Sequence, residues 1–385
     1  MSVGQRRMRV GISGSYGGFN LGDEAILTAI LQELRESLPV EVTVFSRDPD
    51  DTLRRHGVEH ALHLRSLSLR DTRTVISGLD LLILGGGGIL YDRDADMFLR
   101  GVNLAHEVGT PVMVYAISAG PLVEIPVRVR VREALQQAAA ITVRDRHTQR
   151  LLEELGITQQ VLLTADPAVL LRAEPLTWEE ILRSEAINPG ARLIGISVRE
   201  PGPAAPDLRV EHYHRLVANA ADFMIDRFDA EVVFFPMERR AFDVQHSHGV
   251  VGQMSHAQRA TVLKRDYTPG QLVSLLERFE FTVGMRLHFL IFSALAGVPF
   301  TALPYATKVS GFLEELQLRT PELSEVSAGQ LIAIIDRAWD QRELLRASLS
   351  TGLVDLQRRA HRNNQIAVQL LTLSTAPQLQ EQPGA

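Results

Sequence analysis

The segment FEFTVGMRLHFLIFSALAGVPFTALPY, residues 279–305, decides the fold class. Residues 279–284 and 299–305 are short runs typical of buried strands, and an uncharged apolar run follows His288 between them. The length of this run favours a helix. Buried strands joined by helices form parallel sheets with helices on both faces. The segment therefore predicts an α/β protein.

The same alternation of strands and helices extends over most of the chain. The predicted strands are residues 8–13, 40–46, 80–85, 111–118, 140–144, 161–165, 192–200, 231–237, 279–284 and 299–305. The predicted helices are residues 22–37, 94–108, 127–139, 145–155, 210–227, 269–278 and 288–296. We predict two doubly wound, Rossmann-like domains that face a cleft, followed by C-terminal helices.

The alternation breaks between residues 172 and 191, where the sequence RAEPLTWEEILRSEAINPGA carries two prolines and many charges. Such a composition is typical of a connection between domains. We therefore predict an N-terminal domain over residues 1–172 and a linker over 173–190. The predicted remainder is a second domain, a helical region and a flexible tail, over residues 191–327, 328–374 and 375–385.

Composition excludes several classes of protein. The chain has 385 residues and a formal net charge of −6, without the basic field that nucleic-acid binding requires. It contains no cysteine, which excludes disulfides, a thiolate nucleophile and cysteine-ligated zinc or iron–sulfur centres. No apolar run has membrane-spanning length. We expect a cytoplasmic protein whose contact with a membrane is at most peripheral.

Two clusters have ordinary explanations. Arg128, Arg130 and Arg132 alternate with valines, which would suit an anionic lipid or a diphosphate but is more typical of a solvated helix start. Histidines cluster in residues 211–216 and 245–250, but their spacing matches no zinc signature. We therefore predict no metal site.

Residues 14–27, GSYGGFNLGDEAIL, predict a strand-to-helix turn. Glycines permit a positive φ, Asn20 or Asp23 can cap the helix, and free N–H groups at its start suit an anion. The spacing fits neither the dinucleotide fingerprint nor the P-loop. A ligand-binding turn and a simple capped helix both remain open.

Residues 84–92, LGGGGILYD, end a predicted strand with four consecutive glycines. Four glycines lose much backbone entropy on folding, so something should need the room that they leave. A ligand crevice at the carboxyl end of a parallel strand is the natural candidate. Asp92 follows, either as an acceptor or base for a hydroxyl group or as a solvated helix cap.

Four polar side chains follow strands of the second domain. Arg286 and His288 lie where strand 279–284 meets the next helix, and both can face one ligand only if the helix entry is irregular. Lys308, one of only two lysines, leaves the next strand at the same edge, and Arg199 follows the first strand of this domain. Arginine forks and helix starts bind carboxylate or phosphate, and histidine exchanges protons near neutral pH. The pattern predicts a site for a polyanion.

These motifs together resemble the polysaccharide pyruvyltransferase family over about residues 8–320. The resemblance is carried by GFNLGDEAIL, GGGGILYD, YAISAGPL, VRD at residues 143–145, ADPAVLL at 165–171, GMRLH with its apolar helix, and the segment around Lys308. It implies a two-domain fold similar to that of GT-B glycosyltransferases. It also implies transfer of pyruvate from phosphoenolpyruvate onto two hydroxyls of a sugar, as a ketal, in a cell-wall or exopolysaccharide precursor.

The resemblance implies a role for each candidate residue. Arg286 and Lys308 would bind the carboxylate and phosphate of the donor, with Arg199 as a third cation. His288 would act as the acid or base. The acceptor, a sugar or a lipid-linked saccharide, would lie on the N-terminal side of the cleft. Its implied contacts are Asn20, Asp23, Gly86, Gly87, Gly88 and Asp92. With phosphoenolpyruvate as donor substrate, we expect no cofactor and no metal.

The chain departs from the family at two places. Tyr305-Ala306-Thr307-Lys308 stands where the family often has Tyr-Asp-Pro-Lys, and Tyr91-Asp92 stands where it often has Gln-Asp. Two other functions stay open. A GT-B glycosyltransferase would bind a UDP or GDP sugar through a late carboxylate, for which Glu314 and Glu315 are the nearby candidates. A non-catalytic binding module would use the cleft without chemistry.

Overall fold

Two parallel β-sheets organise the protein. The computed structural model describes residues 6–63, 66–202, 205, 208–238 and 242–373. The predicted tail, residues 375–385, lies outside the described residues.

The first sheet has seven strands in the described part of the chain, in the order β3-β2-β1-β4-β5-β6-β7, and every pairing is parallel. The strands are β1 (Met8–Ser13), β2 (Val40–Phe45), β3 (His60–Leu62), β4 (Leu81–Leu90), β5 (Val112–Ala119), β6 (Ala140–Val143) and β7 (Val161–Leu163). The helices between them are α1 (Leu21–Ser37), α2 (Pro49–His56), α3 (Leu69–Ser77), α4 (Ala95–Val108), α5 (Ile125–Leu135) and α6 (Arg146–Glu154).

The second sheet has the order β10-β9-β8-β11-β12 and is also parallel. Its strands are β8 (Arg192–Ser197), β9 (Ala230–Phe234), β10 (Ala260–Val262), β11 (Phe281–Gly284) and β12 (Phe300–Ala302). The remaining helices are α7 (Trp178–Glu185), α8 (Val210–Phe228), α9 (Asp243–Val251), α10 (Pro269–Leu276), α11 (Leu287–Leu295), α12 (Thr307–Glu315), α13 (Ala328–Asp340) and α14 (Arg342–Leu373). The predicted doubly wound α/β fold is therefore confirmed.

Strand β4 differs from its prediction. The strand was expected to end at residue 85, but it continues through the glycines to Leu90. Gly86 and Gly87 adopt φ values of 55° and 82°, which L-residues with side chains rarely reach, and the ladder to β5 still continues. The glycines therefore bend the strand without ending it.

Helix α7 lies in the predicted linker and packs against the second domain. Glu185 at its end is fully buried, where an uncompensated carboxylate would be strongly destabilising. Its oxygens accept hydrogen bonds from the backbone N–H groups of Lys264 and Arg265 and from the Tyr267 hydroxyl. These donors compensate the buried charge and fasten the connection.

The C-terminal helix α14 returns to the first domain. Asn363 is fully buried, and its side chain accepts from the Thr164 hydroxyl at 2.8 Å and donates to the carbonyl of Ala165. Asn364 donates to the carbonyl of Glu33 and to the Ser37 hydroxyl. One helix that follows the second sheet thus helps to hold the first. Among the helices described, none combines the length and apolar character needed to cross a bilayer.

Candidate active site at the seam between the two sheets

The start of helix α1 touches the second domain directly. The backbone N–H of Leu21 donates to the carbonyl of Met237 at 2.9 Å, and Asn20 forms an antiparallel bridge with Glu238. The Asn20 side chain accepts from the N–H of Gly22 at 3.0 Å, so Asn20 is the helix cap. These contacts bring the carboxyl ends of β1 and β11 to one seam.

His288 lies at this seam. Helix α11 begins at Leu287, and the preceding Arg286 is its cap residue, with an extended backbone of φ −74° and ψ 122°, so Arg286 lies outside the helix and His288 in its first turn. The imidazole packs on Gly22, where an added Cβ would lie 2.0 Å from Nδ1. Its Nε2 lies 3.5 Å from Asp166 Oδ2 and, among the described residues, has no hydrogen-bond partner. A buried nitrogen without a partner is available to a ligand.

Asp166 connects His288 to a buried arginine of the first domain. Arg144 Nη1 donates to Asp166 Oδ2 at 2.6 Å, and both side chains are about 5% exposed. Burial disfavours the carboxylate, but the charges of Arg144 and His288 together hold the pKa of Asp166 far below its ordinary value. Arg144 and Lys308 line the same small cavity, so cations of both domains meet there.

Arg199 and Lys308 share one partner, the buried Tyr305. Arg199 Nη1 donates to the Tyr305 hydroxyl at 2.8 Å, and its Cζ lies 5.0 Å from the ring centre. Lys308 lies over the same ring, with Nζ 5.8 Å from the ring centre. It belongs to the first turn of helix α12. The predicted convergence of these two cations is present.

Arg286 is the most strongly paired of the predicted cations. Its Nε and Nη2 donate to the two carboxylate oxygens of Asp243 at 2.9 and 2.5 Å, and Nη2 also donates to Glu238 at 2.9 Å. Burial opposes its charge, but Asp243 and Glu238 raise the pKa of Arg286 above its usual range. Two carboxylates thus already compensate a cation that the sequence predicted to be free for a ligand. Its Nη1 donates to none of the described residues.

Asp23 is half-buried on the first turn of α1. Burial raises the pKa of this carboxyl group, while His288, the Ser15 hydroxyl and Lys308 lower it. A Cβ on Gly87 would lie 3.3 Å from Asp23 Oδ1. Asp23 therefore lies beside the glycine strand and within electrostatic range of the histidine.

Protein side chains fill most of the room beside the glycine strand. An added Cβ would lie 2.0 Å from Ile26 Cγ2 at Gly86 and 2.3 Å from the Tyr91 hydroxyl at Gly88. These two glycines admit neighbouring side chains, which use the room that the sequence indicated. Sugar binding by their backbones stays a prediction.

Asp92 anchors a loop. Its carboxylate accepts from the N–H of Val123 at 2.8 and 3.0 Å and from the N–H of Glu124 at 3.1 Å, just before helix α5. The neighbouring helix α4 has Asp94 at its cap position and no side-chain cap. Asp92 is therefore not the cap of the helix that follows it.

Two of the clustered histidines meet inside the second domain. His214 Nε2 and His246 Nδ1 are 2.9 Å apart, and burial lowers the pKa of His214 to about 4. Within the residues that the structure describes, no group of three or more His, Asp or Glu side chains is arranged to hold a metal ion.

A sequence model of the polysaccharide pyruvyl transferase family matches residues 20–307. The chain belongs to this family. Amylovoran biosynthesis protein AmsJ of Erwinia amylovora is 24% identical over 289 residues, which are 71% of this chain and 69% of that protein. Membership of this family makes the protein a transferase of polysaccharide biosynthesis.

Solved structures share the fold of this family member. UDP-GlcNAc 2-epimerase from Neisseria meningitidis, bound to UDP-GlcNAc, superposes with a TM-score of 0.61 at 12% identity and covers 95% of this chain and 100% of its own. A glycosyltransferase from Rickettsia africae has a TM-score of 0.62 at 10% identity, covering 97% and 100%. At such identities the likeness concerns the fold alone, and it confirms the predicted GT-B-like architecture.

Sequence reasoning missed several side chains of this site. Tyr305 was noted only as part of a departure from the family, and Asp166 only as part of a matching motif. Glu238 and Asp243, which pair with Arg286, lie in a stretch whose sequence shows no periodic signal. Their roles depend on partners 43 or more residues away along the chain, which no local spacing reveals.

Proposed function

We propose that this family member transfers a pyruvyl group from phosphoenolpyruvate to two hydroxyls of a sugar in a cell-wall or exopolysaccharide precursor, forming a ketal and releasing phosphate. The observation that carries the proposal is the convergence of Arg199, Arg286 and Lys308 beside His288. The three cations follow the adjacent strands β8, β11 and β12, all at their carboxyl ends. Phosphoenolpyruvate brings a carboxylate and a phosphate, which several fixed cations can bind.

The donor's anionic groups would bind mainly to Arg199 and Lys308. Neither forms an ion pair with a carboxylate among the described residues, so both have a net charge to offer. Arg286 would act on the donor through its remaining nitrogen, Nη1, and through the electrostatic field of its positive charge. Fixed cations also stabilise the charge that develops as phosphate leaves. We propose no cofactor and no metal for this step.

His288 would carry protons in the reaction. Ketal formation adds one proton to the methylene carbon of the donor, and each of the two attacking hydroxyls loses one. The second of these protons leaves with phosphate, so the protons balance. His288 has an unpartnered Nε2 and lies at the seam between donor and acceptor sides, which suits a group that exchanges protons with both substrates.

The acceptor would bind on the face of the first domain. Asp23, Asn20 and Asp92 offer oxygen acceptors for sugar hydroxyls, and Gly86, Gly87 and Gly88 offer backbone groups. Asp23 would be the central contact, because His288 and Lys308 both act electrostatically on its carboxyl group. A free sugar and a lipid-linked saccharide would present the same hydroxyls.

The nucleotide-sugar glycosyltransferase is the alternative, and the carboxylate that it needs has other partners. Glu315 is about 9% exposed and forms ion pairs with Arg146 and Arg359. A ribose ligand would have to break these pairs. The pyruvyl transfer therefore fits the site chemistry better.

Thermal unfolding with candidate donors tests the proposal. Wild type, Lys308→Ala and the matched control Lys264→Ala would be heated with phosphoenolpyruvate, UDP sugars or GDP sugars. A ligand at about a hundredfold excess over its Kd should stabilise the folded state by about 2.7 kcal/mol. We expect phosphoenolpyruvate to stabilise wild type and Lys264→Ala but not Lys308→Ala. A response to a nucleotide sugar alone would refute the pyruvyl donor.

A further inference from the structure

Tyr305 joins two cations that come from different strands. Arg199 follows strand β8 and Lys308 follows strand β12, and strand β11 lies between them in the sheet. The Tyr305 hydroxyl accepts a hydrogen bond from Arg199 Nη1 at 2.8 Å, and Lys308 Nζ lies 5.8 Å from the centre of the Tyr305 ring. The residue is 6% exposed, so its ring is fixed by the core while its hydroxyl reaches the site.

Tyr305 offers its two cations a neutral phenol, whereas the third cation, Arg286, is paired with carboxylates. Arg286 is compensated by the carboxylates of Asp243 and Glu238. Arg199 and Lys308 repel each other in a partly buried site, and among the described side chains they share a phenol instead of a carboxylate. The phenol accepts a hydrogen bond from Arg199 and presents its ring to Lys308, and as a neutral group it cancels neither positive charge.

We propose that Tyr305 is a positioning residue of the donor site, whose hydroxyl and ring hold Arg199 and Lys308 at a fixed spacing while leaving their charges free for the anionic groups of the donor. The inference rests on the proposed function for the identity of that donor. It assigns a task to a side chain that the family resemblance treated only as part of a variable loop. A carboxylate at the same position would hold the cations equally well but would neutralise one of them.

The electrostatics of Tyr305 agree with this task. Burial raises the pKa of its hydroxyl, but Lys308, Arg199 and Arg286 together lower it below the ordinary tyrosine value. The phenol of Tyr91, from the first domain, also lies within electrostatic range. The cations therefore act strongly on this one oxygen, as expected if it orders them.

Tyr305→Phe tests the hydrogen bond from Arg199, because it keeps the ring and removes the hydroxyl. We expect KM and Kd for phosphoenolpyruvate to rise about tenfold, as for loss of a hydrogen bond to a charged group, with kcat at saturating donor nearly unchanged. The matched control is Tyr267→Phe, which removes a buried hydroxyl bonded to Glu185 at 2.8 Å, far along the chain from this cluster. The control should lose stability and keep its KM.

Tyr305→Glu tests the charge. We expect this variant to unfold at a higher temperature than Tyr305→Phe, because the carboxylate pairs with both cations, and yet to bind the donor more weakly than Tyr305→Phe. Donor affinity in Tyr305→Glu equal to that of wild type would overturn the proposal. So would an unchanged KM in Tyr305→Phe, or equal losses of kcat and of stability in both variants.

Binding of inorganic phosphate separates this proposal from the proposed function. Calorimetry would measure phosphate and phosphoenolpyruvate against wild type and Tyr305→Phe. If wild type binds phosphate but not phosphoenolpyruvate, the pyruvyl donor is refuted, while a weaker phosphate affinity in Tyr305→Phe still supports the role of Tyr305. A wild type that binds neither anion would overturn both.

Discussion

Nε2 of His288 lies 3.5 Å from Oδ2 of Asp166, the same oxygen that receives Arg144 at 2.6 Å. The histidine belongs to the second domain and the carboxylate to the first. His288, the candidate proton-transfer group, is thus positioned by the ion pair between Asp166 and Arg144 in the opposite domain. Any change that separates the two sheets should disturb its chemistry before it disturbs either core.

Asp166→Asn should destabilise the protein and lower activity. The substitution leaves Arg144 charged and buried without its carboxylate, and breaking a buried pair in this way costs about 3–5 kcal/mol. Chemical denaturation at pH 7 would measure the free energy of unfolding. A loss below about 1 kcal/mol would show that the pair is not compensating a buried charge.

The difference in stability between wild type and Asp166→Asn should change with pH in a definite direction. Because the pKa of Asp166 is lowered on folding, its contribution to stability is present above the unfolded pKa of about 3.9 and is lost as the pH falls further. The stability difference between wild type and Asp166→Asn should therefore be constant from about pH 7 to pH 5 and narrow below about pH 4. Denaturation series at these pH values check the trend.

Lys308 should make donor affinity fall at alkaline pH. Tyr305 alone would raise the pKa of Lys308, but burial and the charges of Arg199 and Arg286 together lower it below 10.5. Donor binding needs the ammonium, so kcat/KM for phosphoenolpyruvate should fall as the pH rises, earlier than for an ordinary lysine. Because Tyr305 and Lys308 titrate together, the midpoint belongs to the pair.

The variant Lys308→Ala provides the comparison for that profile. Its donor affinity should be weak at neutral pH and should change less between about pH 8 and pH 10, since the titrating cation is gone. Lys264→Ala should reproduce the wild-type profile. An alkaline fall of equal size in Lys308→Ala would assign the titration to another group.

Gly22→Ala should displace the imidazole of His288. The new Cβ would lie 2.0 Å from Nδ1 and 2.5 Å from Cγ, so the ring must move. A shift of about 1 Å in a catalytic group can cost about a hundredfold in rate, and we expect kcat to fall by about that factor. The helix itself should tolerate alanine, so the folded fraction, measured by circular dichroism, should stay high.

Gly101→Ala is the matched control for Gly22→Ala. It also places alanine in a helix, α4, but its Cβ would meet no atom within 4 Å. We expect stability to rise by about 0.5–1 kcal/mol and activity to stay unchanged. Equal losses of kcat in the two variants would contradict a specific clash with His288.

Asp92→Ala should weaken acceptor binding and leave donor binding unchanged. The variant loses the carboxylate that holds the N–H groups of Val123 and Glu124, which should cost about 1–2 kcal/mol of stability. We expect KM for the acceptor to rise, because this loop borders the proposed acceptor face, and Kd for phosphoenolpyruvate to stay unchanged. A weaker donor affinity measured by calorimetry would contradict the division of the cleft.

Part of the site could be predicted from local pattern. The helix start at Arg286 was predictable because a buried strand ends just before an apolar run, and the cap at Asn20 because amide side chains favour that position. The partners of Arg286 were not predictable, since Asp243 is 43 residues away. The hydrogen-bond partners of Asp92 were not predicted for the same reason. The N–H groups that donate to its carboxylate follow strand β5, far along the chain.

The sequence by itself determined the α/β alternation, the two parallel sheets and the positions where cations leave strands. Periodicity and strand ends are local properties, and parallel strands bring their carboxyl ends to one edge whatever the rest of the chain does. Only the tertiary structure decided which charge meets which partner. Arg286 meets carboxylates and Lys308 meets a phenol, although both are cations that follow strands. How much of a cation's charge remains for a ligand depends on these long-range pairings. In a buried site, the nearest partner affects a charged group more strongly than its own residue type does.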